Sequence, residues 1–292
     1  MPDTWELASI LVRSLLYLGA LASVGQVLVR IVFHRETSGL RDAFVWRVMA
    51  FATLAFLSAL VGFALKGAAM VGELSGMTDP VMLGILWQTP VGTALVLRVA
   101  GLVTILVAIW IPAVGLKIAA AGGVVVLWSF TLVGHVAEAG PFWLNFLLLL
   151  HLICASFWIG ILSPLGILAG KSEEFDLAAG LGHRFGRIAA FTVPVLIVAG
   201  AVIAWHLLGD FASLVGTGYG LALLAKIGVM ALLLAAAAAN KFRFVPAMKR
   251  GDRGGAIALR RSITFEWAAV CLVLLATAAL TTLPDPPMGS DP

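Results

Sequence analysis

A chain of 292 residues that is 61% hydrophobic and only 12% charged cannot cover a water-facing surface, since soluble domains carry about 25% charged residues. That excludes a large soluble domain and, outside the tails, disorder. The net charge of +4 invites a nucleic-acid reading, which the placement of the charges removes.

Apolar runs of about 20 residues, long enough to cross hydrocarbon as a helix, occur at 6–33, 44–71, 90–111, 114–135, 142–169, 187–208, 218–240 and 263–282. The expected fold is all-α: a polytopic membrane bundle of eight transmembrane helices. Asp3 and Glu6 stand where a secretory leader would carry Lys or Arg, so the first run reads as a span rather than a leader.

The connections alternate in charge. One set holds Arg30, Arg35, Arg41 and Arg47, then Lys117, then Lys171, Arg184 and Arg187, then Lys241, Arg243, Lys249, Arg250, Arg253, Arg260 and Arg261. The other set and the tails hold no Lys or Arg but carry Asp3, Glu6, Glu73, Asp79, Glu138, Asp210, Asp285 and Asp291. The positive-inside rule then puts both termini on the outer, non-cytoplasmic side of the membrane. Orientation accounts for the basic loops without nucleic acid; the lipid bilayer is their partner.

The two halves resemble each other. Thr89-Pro-Val-Gly92-Thr-Ala94-Leu95-Val-Leu-Arg98 aligns with Thr217-Gly-Tyr-Gly220-Leu-Ala222-Leu223-Leu-Ala-Lys226. Four spans in each half make two parallel repeats. The expected division is 1–136 for the first four-helix half, 137–283 for the second, and a disordered periplasmic tail over 284–292. Arg47…Ala50-Phe51 similarly matches Arg187…Ala190-Phe191, and in that register Lys66 opposes His206.

Within the spans, Arg13, Lys66, Arg98 and Lys226 share the periplasmic half of the membrane with His135, His151 and His206. Ionisable groups at such depth are costly and face an interior, so the layer reads as a polar chamber open to the outside. His151 lies about 14 Å inward from Phe142 at 1.5 Å per residue. His151, Cys154 and Trp158 are spaced to share a face, and Trp128, Thr131 and His135 are expected to share one on span four. Met70, Met77 and Met82 lie beside Glu73 and Asp79 in a periplasmic loop. Pro164, Pro194 and Gly200 mark expected kinks, and Glu266 an ion pair with Arg260 or Arg261.

Imidazole, thiolate and thioether together are what copper prefers. The expected metal ligands are His135, His151, His206 and Cys154. The alternative is haem b held by two histidines, with Arg98, Lys226 and Lys66 on its propionates. Cys154 and Cys271 stand alone in apolar runs, which supports neither a disulfide framework nor a zinc finger. No P-loop or DKTG-like sequence occurs, so no enzymatic activity is expected.

Gly134-His135-Val-Ala, His151-Leu…Phe157-Trp158-Ile-Gly160, Asn240-Lys-Phe-Arg, Leu259-Arg-Arg-Ser262 and Glu266 resemble the bacterial copper resistance protein D family (CopD/PcoD), most closely over residues 130–282. The resemblance implies an eight-span inner-membrane protein that moves copper inward, often beside a periplasmic copper carrier protein. Relatives with Met/His-rich outer stretches have more than the three loop methionines present here.

Overall fold

The computed structural model describes residues 4–282; the tail expected over 284–292 lies outside them. All regular structure among the described residues is helical. Eight helices are long and apolar enough to cross a membrane. We number them α1 (Thr4–Val32), α2 (Arg41–Val71), α3 (Pro90–Ala108), α4 (Gly115–Ser129), α5 (Trp143–Leu168), α6 (Phe175–Leu208), α7 (Gly218–Ala239) and α8 (Arg253–Leu280). The protein is a multi-pass membrane protein. Hydrocarbon offers no partner to backbone N–H and C=O groups, so each apolar run closes its own ladder as a helix.

The apolar runs locate these helices but misjudge two basic ends. α6 begins at Phe175 rather than 187 and α8 at Arg253 rather than 263. Hydropathy rejects these extensions for their charges, yet both are amphipathic. Ala178, Ala179 and Leu181 of α6 and Ala256 and Leu259 of α8 are buried, while Arg187, Arg260 and Arg261 stay exposed. Asp252 caps α8 by accepting from Gly254 N at 2.8 Å.

α1 is the hub, packing on α2, α4, α5 and α8. Small residues make this possible, as is usual between membrane helices. At the α1–α5 crossing Gly25 meets Gly160, and a Cβ on Gly25 would fall 1.8 Å from the Ser156 carbonyl oxygen. α6 leans on α5 and α7 on α8; these two outer helices meet chiefly through the segment Val245–Lys249 that follows α7. At the basic end, Arg184 of α6 pairs with Glu36 at 2.7 Å, tying α6 to the α1–α2 connection.

Candidate functional site

His151 projects from α5 toward α6. Its Nδ1 lies 3.0 Å from the Leu196 carbonyl oxygen. A carbonyl only accepts, so in the neutral ring Nδ1 carries the proton and Nε2 keeps its lone pair. Gly200 makes the approach possible: a Cβ there would meet His151 Cε1 at 3.0 Å and Nδ1 at 3.3 Å. Cys154, one turn along the same face, is buried. Lys226 on α7 lies within electrostatic reach of the imidazole.

His135 is not the last residue of span four. Gly134, at φ 90, breaks the chain and starts a separate short helix, His135–Ala139; only glycine adopts that backbone cheaply. His135 therefore shares no helical face with Trp128 and Thr131, a correction to the expected stripe. Its ring stands edge-on to Tyr219 of α7, centroids 6.2 Å apart. The adjoining Val136 packs with Leu207, Leu208, Tyr219 and Leu280. His135 Nε2 is buried without a hydrogen-bond partner, which leaves it open to water or an ion.

His206 is exposed, with Nδ1 3.0 Å from the Val202 carbonyl oxygen and its ring 5.1 Å from that of Trp143. Each histidine thus has its own neighbourhood. Among the described residues, no three His, Cys, Asp or Glu side chains converge to hold a metal ion.

The basic layer divides as well. Arg13, Lys66 and Arg98 converge from α1, α2 and α3, with Glu138 the nearby carboxylate. Arg98 donates to Ser129 Oγ at 3.1 Å and lies 4.7 Å above the Phe130 ring, while Arg13 donates to the Thr281 carbonyl. Lys226 stands apart from these three, beside His151.

Glu266 forms no ion pair with Arg260 or Arg261, contrary to expectation. It is 2% exposed and accepts from Trp158 Nε1 at 3.4 Å and from Asn240 Nδ2. Helix periodicity explains the difference: Arg260 and Arg261 stay on the exposed side of α8 while Glu266 turns inward. The roles of Gly200 and Asn240 had no signal in the sequence, because both depend on which helix lies opposite. The one hint for Glu266 was a carboxylate just inside the start of an apolar run.

Two family models match the chain. The one described as Copper resistance protein D-like, N-terminal domain, covers residues 1–143, and Copper resistance protein D covers 179–280. The chain is 29% identical over 262 residues to Copper resistance protein D of Pseudomonas syringae pv. tomato, covering 81% of this chain and 84% of that one. It is 31% identical over 169 residues to Copper transport protein CutJ of Bacillus subtilis (strain 168), covering 56% of this chain and 30% of that one. Inner membrane protein YebZ of Escherichia coli (strain K12) is 28% identical over 138 residues, 46% of this chain and 47% of that one. The chain therefore spans less than half the length of two of these three relatives. No solved structure matches it.

Proposed function

Because the chain belongs to the copper resistance protein D family, a family of membrane copper-handling proteins, we propose that it carries copper ions from periplasm to cytoplasm through α5–α8. In this reading the two parallel four-helix halves meet near residue 136. Both termini face the periplasm of the bacterial inner membrane, and a periplasmic copper carrier protein delivers the ion. The first half is the scaffold and the second half the path.

The observation that carries the reading is the pose of His151. Its Nδ1–H is spent on the Leu196 carbonyl, so Nε2 is the nitrogen left to bind. Metal-binding histidines are oriented in this way, by a carbonyl on the other ring nitrogen. His135, with its orphan Nε2, is the entry station. His206, at the periplasmic end of α6, and Cys154, one turn beyond His151, assist. Copper passes from one imidazole to the next rather than resting in a closed cage, which suits cargo better than a resident cofactor. No residue is assigned a catalytic role.

The test is copper content in cells expressing equal amounts of wild type and His151→Ala. Wild type is expected to raise cell copper and the variant to leave it at the level of cells lacking the protein. Normal accumulation by the variant would remove His151 from the path. A visible spectrum of the purified protein tests the haem b alternative: a Soret band lost in His151→Ala would favour haem over copper.

A further inference from the structure

Glu266 is used by nothing in the copper path described above, yet it is almost completely buried. It sits near the middle of α8, Arg253–Leu280, where the turns carrying the exposed Arg260 and Arg261 give way to the apolar part of the helix. The groups facing it are the Trp158 indole on α5, the Asn240 amide at the foot of α7 and the Ser262 hydroxyl one turn back on its own helix. All are neutral, and among the described residues no Lys, Arg or His forms an ion pair with it. An unpaired carboxylate in a membrane interior is costly and is kept where it has work to do.

Two further observations point to that work. Asn240 Oδ1 is buried without a hydrogen-bond partner. An amide can serve both forms of the acid beside it: Nδ2–H donates to a carboxylate, and Oδ1, with the amide turned over, accepts from a protonated carboxyl. Asn240 also opens a π-helical turn, Asn240–Phe244, a distortion that recurs at functional sites. On the other side, Ser262 lines an open groove of about 600 Å³ at the basic end, together with Phe244, Ile257, Arg261 and Phe265. The Ser262 hydroxyl therefore stands between that groove and the carboxyl.

We propose that Glu266 is a proton-exchanging carboxyl that communicates with the cytoplasmic face past Ser262, and that its ionised form supplies the negative charge a copper ion needs as it nears the cytoplasmic side of the membrane. The second clause rests on the copper reading above. Arg13, Lys66, Arg98 and Lys226 put four fixed cations on the periplasmic side of Glu266, so a copper cation moving inward gains from a carboxylate beyond them. On ionisation the O–H bond of Glu266 breaks, its electron pair stays on the carboxylate oxygen and the proton leaves to water in the groove. Arrival of Cu⁺ as the proton departs leaves the net charge of the region unchanged. Return of a proton resets the site as copper leaves.

Infrared difference spectroscopy of the full-length protein in lipid vesicles tests this through the carbonyl stretch of a protonated carboxyl. Wild type is expected to show a band that disappears as pH is raised and weakens when Cu(I) is added at fixed pH. Glu266→Gln should lack the band, and Glu266→Asp should shift it if the Gln variant fails to fold. The same titrating band in Glu266→Gln, or none in wild type, would overturn the assignment. A wild-type band that titrates but ignores bound copper would overturn the coupling. Metal analysis of the same vesicles, finding no copper bound to wild type, would instead overturn the copper reading while the pH titration still decides Glu266.

Discussion

α1 and the pair α6–α7 cross the same membrane, and their fates are opposite. Two-thirds of the apolar stretch of α1 is buried, 67% against 11% for α6 and 6% for α7, although α1 is the least apolar of the three. In water that order would be perverse. In lipid it is expected, because the surroundings are as apolar as leucine and burial follows close packing of small residues instead. α1 has Gly19, Ala20, Ala22, Ser23 and Gly25 on its buried surface. α7 presents Leu221, Leu224, Ile227 and Leu232 to its surroundings. The hub holds the fold together; the loosely held pair carries Leu196, Gly200, His206 and Lys226, which surround or extend the His151 site.

The sharpest way to break this contrast is one large side chain placed at each kind of position. Gly25→Leu drives a side chain into backbone, where overpacking costs about 1–3 kcal/mol even against yielding neighbours. The expected result is loss of most monodisperse protein on size exclusion. Gly228→Leu on α7, where an added Cβ meets nothing within 4 Å, is expected to leave yield unchanged. Normal folding of Gly25→Leu would remove the hub argument.

Gly200→Val probes the site rather than the fold. A Cβ at 3.0 Å from the ring, with its methyls beyond, is expected to push the imidazole away from the Leu196 carbonyl, so copper uptake should fall several-fold toward that of His151→Ala. Stability should drop by only about 1 kcal/mol, the worth of one hydrogen bond. Uptake equal to wild type would show that the His151 pose is not what matters.

Arg98→Met tests the scaffold half without touching the path. Losing the Ser129 bond and the Phe130 contact should cost about 1–2 kcal/mol in thermal unfolding. Copper uptake per folded molecule should be retained; selective loss of uptake would move the path into the first half.

The smallest effect belongs to the Glu36–Arg184 clasp. Burial pushes the Glu36 carboxyl up, but the hydrogen bond and charge of Arg184 outweigh it and hold the carboxyl below its ordinary value of 4.5. A lowered folded value means the contribution is complete above the unfolded value and is lost as pH falls through the folded one. Arg184 is 41% exposed, so solvent screening keeps the pair under about 1 kcal/mol. Glu36→Gln should lower the melting temperature slightly at neutral pH and not at all at the acid end of the range. An equal loss at both ends would show that charge is not what Glu36 contributes.

Span number, helical class and the family resemblance were legible in the residues alone. Each rests on a property local to a run of chain, either its apolar length or a short motif such as His151…Trp158-Ile-Gly160. Tertiary structure decided the rest. It set His135 on its own short helix behind Gly134, split the layer of cations and imidazoles into separate neighbourhoods, and turned Glu266 from the arginines toward Trp158 and Asn240. The physical reason is that hydropathy measures how willingly a segment leaves water, whereas the partner of a buried polar atom is chosen by which helix lies opposite. In lipid that choice is made by glycines and alanines, residues whose placement a hydropathy reading cannot weigh.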